Sequence, residues 1–134
     1  MPRLAHIALL VADYDKALAY YVCRLGFTLV EDTPQPEAGK RWVTICPPHA
    51  PVDATTILLA CAAKPDQARA IGDQAGGRVF LFLATDDFTR DHAAFTEAGV
   101  EWVRPPSIHE YGIVAVFRDL YGNLWDLVEY DHPR

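Results

Sequence analysis

An internal duplication constrains this chain more than any other feature of its sequence. Leu4 to Val11 (LAHIALLV) is a short apolar run followed by Asp13, and Val79 to Ala84 (VFLFLA) is another followed by Asp86. Each reads as a strand passing into a helix N-cap, because an Asp side chain can accept from the free backbone N–H groups of a first helical turn. From Asp13 to Leu25, the residues Ala17, Tyr21 and Leu25 recur at the spacing of one helical stripe, with Leu18 and Val22 beside them and Gly26 following as a C-cap. From Asp86 to Ala98 the plan returns: Phe88, Phe95 and Ala98 share a stripe, Arg90, Asp91 and Glu97 are left for water, and Gly99 stands where Gly26 did. After each glycine come three strand candidates. They are Phe27 to Glu31, Arg41 to Ile45 and Thr55 to Ala60, then Val100 to Arg104, Tyr111 to Phe117 and Leu124 to Glu129. Pro34, Pro36, Gly39, Pro47, Pro48, Pro51, Pro105 and Pro106 fall between those runs, and Asp119 to Asn123 forms the last turn.

The fold class is therefore α+β, built from two βαβββ modules. One domain spans residues 1–134, with module one at 1–61, a polar connector at 62–77 and module two at 78–130. Pro65 opens a short helix in the connector and Gly76-Gly77 provides its exit.

A chain of 134 residues, 51% hydrophobic and 22% charged, can close an apolar core without staples. Its net charge of -6, with Lys and Arg scattered, argues against a nucleic-acid partner. No stretch approaches the ~20 apolar residues of a membrane span, and the start Met1-Pro2-Arg3-Leu4 enters the first strand with no signal-peptide core, so the expected location is cytoplasmic. Cys23, Cys46 and Cys61 are odd in number and show no CxxC spacing, and they read as reduced thiols in or near the core.

His6-Ile7-Ala8 with Val11-Ala12-Asp13, Tyr20-Tyr21 to Leu25-Gly26-Phe27, and the closing DLYGNLWDLVE from Asp119 to Glu129 resemble the vicinal oxygen chelate superfamily of glyoxalases, bleomycin resistance proteins and extradiol dioxygenases. The resemblance covers nearly the whole chain. It implies curled mixed sheets that form a cupped, glyoxalase-like cleft, often completed across a homodimer, with a divalent metal at its base. His6 takes the place of the first-strand histidine ligand and Asp126 that of the last-strand glutamate. Val79 and Leu58 stand at the other two ligand positions, and neither can donate a lone pair. Leu120-Tyr121 also replaces the Pro-Asp usual in the final turn. Two functions follow from the resemblance. The first is metal-assisted lyase, isomerase or dioxygenase-like chemistry on a small, partly apolar molecule. The second is metal-free binding of a small molecule or antibiotic.

On a strand, His6 shares a face with Leu4, Ala8 and Leu10, and Asp126 shares one with Leu124 and Val128. His6 and Asp126 are the candidate catalytic and metal-binding residues, either as ligands or as an acid–base pair, and a purely structural His–Asp pair accounts for the same residues. The same parity lines a cleft with Ala8, Leu10, Leu58, Ala60, Val79, Leu81, Leu83, Leu124 and Val128, of which Leu58 and Val79 are assigned to substrate binding. Arg41, His109, Glu110 and Tyr111 are assigned to its rim. Trp42, Trp102 and Trp125 read as core or interface anchors, and His49, His92 and His132 as surface residues.

Overall fold

The computed structural model describes residues 1–37 and 39–132. Two compact units divide the chain, Met1–Ile71 and Gly72–Arg134. Each contains a four-stranded mixed sheet with the same strand order, so the βαβββ plan read from the repeat is the plan of the molecule.

The first unit holds β1 (His6–Val11), α1 (Tyr14–Leu18), β2 (Thr28–Pro34), β3 (Arg41–Cys46), β4 (Thr56–Cys61) and α2 (Pro65–Ala70). Its sheet runs β1-β4-β3-β2, with β1 parallel to β4 and the other pairs antiparallel. Alternation along each strand decides what is buried. Leu9 and Val11, Val43 and Ile45, and Ile57 and Leu59 are all covered, and Ala17, Tyr21 and Leu25 close over the same layer. Asp13 caps α1 as expected, its Oδ1 accepting from the N–H of Lys16 at 2.8 Å.

The helix then departs from the regular spacing. Ala19–Arg24 widens into a π-helical turn, with the N–H of Leu25 reaching the carbonyl of Tyr20 at 3.1 Å. The extra residue in that turn lets Tyr20 join Tyr21 in the core, their rings edge to face at 5.1 Å. α2 begins at Pro65 and packs on β1, so the first part of the connector belongs to this unit. Of the three free thiols, Cys46 and Cys61 are half-buried, but Cys23 is exposed on the π-helical turn and is not a core residue.

The second unit holds β5 (Val79–Ala84), α3 (Phe88–Glu97), β6 (Glu101–His109), β7 (Gly112–Arg118) and β8 (Leu124–Tyr130), in the order β5-β8-β7-β6. On one face an aromatic layer carries the packing. Trp102, Phe117 and Trp125 lie on β6, β7 and β8, with Phe117 stacked on Trp125 at 5.7 Å and Phe95 of α3 meeting Phe117 edge to face at 5.5 Å. His92 is stacked on Trp102 at 4.3 Å and on Phe88 at 5.5 Å, so it belongs to this half-buried stack and not to the surface. Glu129 reaches from β8 to accept the N–H of Phe88 at 2.7 Å, tying the start of α3 to the sheet.

Two strands run through proline, contrary to the sequence reading. Pro34 ends β2, and Pro105 and Pro106 lie inside β6. Both strands are sheet edges, where a missing N–H leaves no neighbour unpaired. In β6 the register also shifts between Arg104 and Ser107, a bulge that absorbs the two prolines.

The turn from β7 to β8 is organised by one buried carboxylate. Asp119 accepts from the backbone N–H groups of Tyr121 (3.0 Å), Gly122 (3.0 Å) and Asn123 (2.9 Å), and from the indole Nε1–H of Trp125 (2.9 Å). Asp119→Ala would leave the buried donors of Asn123 and Trp125 and the part-buried ones of Tyr121 and Gly122 without this acceptor, at a cost of about 3 kcal/mol. Urea unfolding followed by circular dichroism should show the midpoint falling accordingly, and a change below about 0.5 kcal/mol would contradict the role given to Asp119.

Candidate functional site

The side chains on the face of the second sheet opposite its aromatic layer follow from register. Parallel pairing sets Phe82 beside Asp126 and Val79 beside Leu124, and antiparallel pairing sets Asp126 beside Val116 and Val116 beside Arg104. An open depression of about 720 Å³ covers this face. It collects Val79, His109, Tyr111, Leu124 and Asp126, all expected at a site from the sequence. Arg78, Phe82, Arg104 and Ser107 line it as well, and the sequence reading did not include them.

Leu81 and Leu83 are not on this face. A register shift between Val79 and Leu81 sets one extra residue into β5, so Leu81 pairs with Trp125 and Leu83 with Leu127 on the helix side. Phe82 takes the open face instead and is 64% exposed. A strict period of two cannot anticipate that switch, because the bulge leaves no mark in an all-apolar run.

Burial pushes the Asp126 carboxyl above the ordinary carboxylate range, and the positive charge of Arg104 pulls it part of the way back. At the β6–β7 turn His109 lies parallel to Tyr111 with ring centres 5.1 Å apart, and its Nε2 is hydrogen-bonded to the Ser107 hydroxyl at 2.8 Å. Glu110 lies between them, exposed in the turn and outside the lining of the depression.

In the first unit, His6 stands on the face opposite the buried Leu9 and Val11, as parity predicts. Its Nδ1 is 2.6 Å from the Thr56 hydroxyl, the residue paired with it across β1 and β4. Its ring meets Trp42 edge to face at 5.4 Å, bridging over β4. With Nδ1 engaged, Nε2 is the nitrogen left for other chemistry. Leu58 lies on the same face, paired with Ala8 and Thr44.

Arg41 is committed to structure: it bonds Asp32 at 2.6 Å and Asp15 at 2.9 Å, and lies over the Tyr14 ring at 5.1 Å. These contacts fasten α1 to β2 and β3, and the Arg41 hydrogen bonds hold the Asp32 carboxyl below its usual range. Among the described residues, no group of three or more His, Cys, Asp or Glu side chains is placed to hold a metal ion. No helix among them is long and apolar enough to cross a membrane.

The model of the Glyoxalase/Bleomycin resistance protein/Dioxygenase superfamily matches residues 3–127. The chain belongs to this superfamily. An uncharacterized protein of Shewanella frigidimarina is 56% identical over 94% of this chain and 92% of its own length. Among superfamily members of known structure, one from Sphaerobacter thermophilus is 29% identical and aligns over 96% of this chain and 98% of its own, with a TM-score of 0.71. TnmS3, an antibiotic binding protein from Streptomyces sp. CB03234, is 30% identical over 98% of each chain, with a TM-score of 0.77. The superfamily match agrees with the motifs at both ends of the sequence and with the repeated sheet order.

Because its carboxyl is raised, Asp126 binds more proton in the folded than in the unfolded chain just above pH ~4. Its contribution to stability therefore falls as pH rises through that window, opposite in sign to Asp32, whose contribution is lost as pH falls. Asp126→Asn should flatten the decline above pH ~4 and leave the protein at least as stable as wild type near neutral pH. Urea midpoints measured across that range test the sign, and a neutral-pH loss in the variant would refute it.

Proposed function

We propose that this chain is a metal-independent binding protein for a small, partly apolar molecule, with the depression on the second sheet as its ligand site. The observation that carries this reading is the make-up of that face. Phe82, Val79, Leu124 and Val116 give it an apolar floor, and Arg104, Asp126, Ser107 and His109 set a few polar groups around it. The donor chemistry of each unit, taken by itself, does not suit a divalent cation. Asp126 faces the positive Arg104, while His6 shares its face with Thr56, Trp42 and Leu58. An antibiotic is one ligand class supported by the likeness to TnmS3.

A second reading keeps catalysis and is favoured by the His6 ring. Its Nδ1 is anchored by Thr56, which orients Nε2 for proton transfer or for a metal, and Asp126 supplies the acid on the other sheet. That reading requires the two faces to converge on one centre, within the chain or across a homodimer. We take the working form to be a cytoplasmic homodimer in either case, which light scattering of the purified protein tests.

Thermal unfolding of chelator-treated protein against a panel of aromatic antibiotics separates the two readings. Metal-free binding predicts a concentration-dependent rise in Tm without added metal. Phe82→Ala should weaken that binding roughly tenfold, since covering a phenylalanine contributes about 1.5–3 kcal/mol. The same variant should keep its own stability within about 0.5 kcal/mol, because Phe82 is exposed in the free protein. Binding that appears only with a divalent metal and vanishes in His6→Ala would instead favour the catalytic reading.

A further inference from the structure

We propose that the depression on the second sheet selects an anion, namely a carboxylate carried on a flat apolar body and held by Arg104 with help from Arg78. This rests on the depression being the ligand site, as argued above. The chain has 18 Asp and Glu against 12 Lys and Arg, so a recess formed without selection should lean acidic. This one is the reverse. Arg78 and Arg104 both line it, and Asp126 is its one acidic side chain among the described residues.

The state of those two arginines differs from that of four others. Arg41, Arg69, Arg90 and Arg118 each sit in an ion pair with Asp or Glu, whereas neither Arg78 nor Arg104 is in one among the described residues. Both are exposed, so their guanidinium groups can exchange water for ligand oxygens without first breaking a protein ion pair. Their positions suit an elongated ligand. Arg104 rises from β6 and Arg78 directly precedes β5, and these strands are the two edges of the sheet. Between them lie Val116, Leu124, Val79 and Phe82, a floor for a flat apolar body.

Asp126 is the competitor for Arg104. It lies two strands away, with Val116 of β7 between them, and its carboxylate would both attract the guanidinium and repel an incoming anion. Burial works against that competition by favouring the neutral acid. Arg78, Arg104, His109 and Tyr111 are the other titratable groups lining the depression.

Isothermal titration with naphthoate and its uncharged isostere naphthamide tests the inference on the full chain. In wild type the acid should bind at least about tenfold more tightly than the amide. Arg104→Gln should bring the two within about twofold, and Arg78→Gln should remove part of the difference. Phe82→Ala should weaken both probes alike and leave their ratio unchanged. Asp126→Asn should tighten naphthoate binding at neutral pH and leave naphthamide as it was. Equal binding of both probes to wild type would overturn the charge selectivity and leave the ligand site standing. A preference that survives the Arg78→Gln, Arg104→Gln double variant would also overturn it, because the anion would then be held elsewhere. Loss of naphthoate affinity in Asp126→Asn would overturn the competing role of that carboxyl. Failure of both probes to bind would remove the ligand reading and this inference together.

Discussion

The phase of β8 depends on the Asp119 carboxylate. It accepts three successive backbone N–H groups of the turn and the indole N–H of Trp125, so it fixes both where the turn ends and which way the next side chain points. Trp125 is thereby held in the aromatic layer beneath α3, and Asp126, one residue on, must stand on the opposite face. A slip of one residue would bury the aspartate and expose the tryptophan. The site's polarity is thus a consequence of how a carboxylate six residues before Trp125 ties the turn.

The remaining elements of the second unit act through the same alternation. The row Trp102, Phe117 and Trp125 packs one side of the sheet, which leaves the row Arg104, Val116, Asp126 and Phe82 on the other. Glu129 and Asp87 both accept from N–H groups in the first turn of α3, which keeps the helix on the aromatic side and off the open one. The first unit uses the same plan with different fastenings. There Arg41 ties α1 to the sheet through Asp15 and Asp32, and the face opposite the helix carries His6, Leu58 and Trp42.

Much of this was legible before any coordinates. Two glycines closing two apolar stripes, each followed by three strand runs, specify βαβββ twice because helix and strand periods are hard to confuse over that length. The face assignments of His6 and Asp126 also follow from alternation alone. What escaped the sequence were the places where backbone irregularity breaks the period. The bulge in β5 moved Leu81 and Leu83 to the helix side and brought Phe82 out. A register shift between Trp102 and Arg104 hid Arg104 as a neighbour of Val116, because counting by twos from Trp102 puts it on the aromatic side. Arg41 reads as a rim residue in sequence because nothing local announces that Asp15 and Asp32, from two other elements, will claim it. His92 likewise needed tertiary neighbours, Trp102 and Phe88, to become part of a stack.

Methyl-resolved NMR tests most directly whether the open face of the second sheet is where a ligand goes. On titration with an aromatic ligand found to raise Tm, the methyl resonances of Val79, Val114, Val116 and Leu124 should shift together, while Leu9, Val43 and Leu59 in the first unit's core should stay in place. Shifts confined to Ala8, Leu10 and Leu58 around His6, with the second-sheet methyls unmoved, would contradict it.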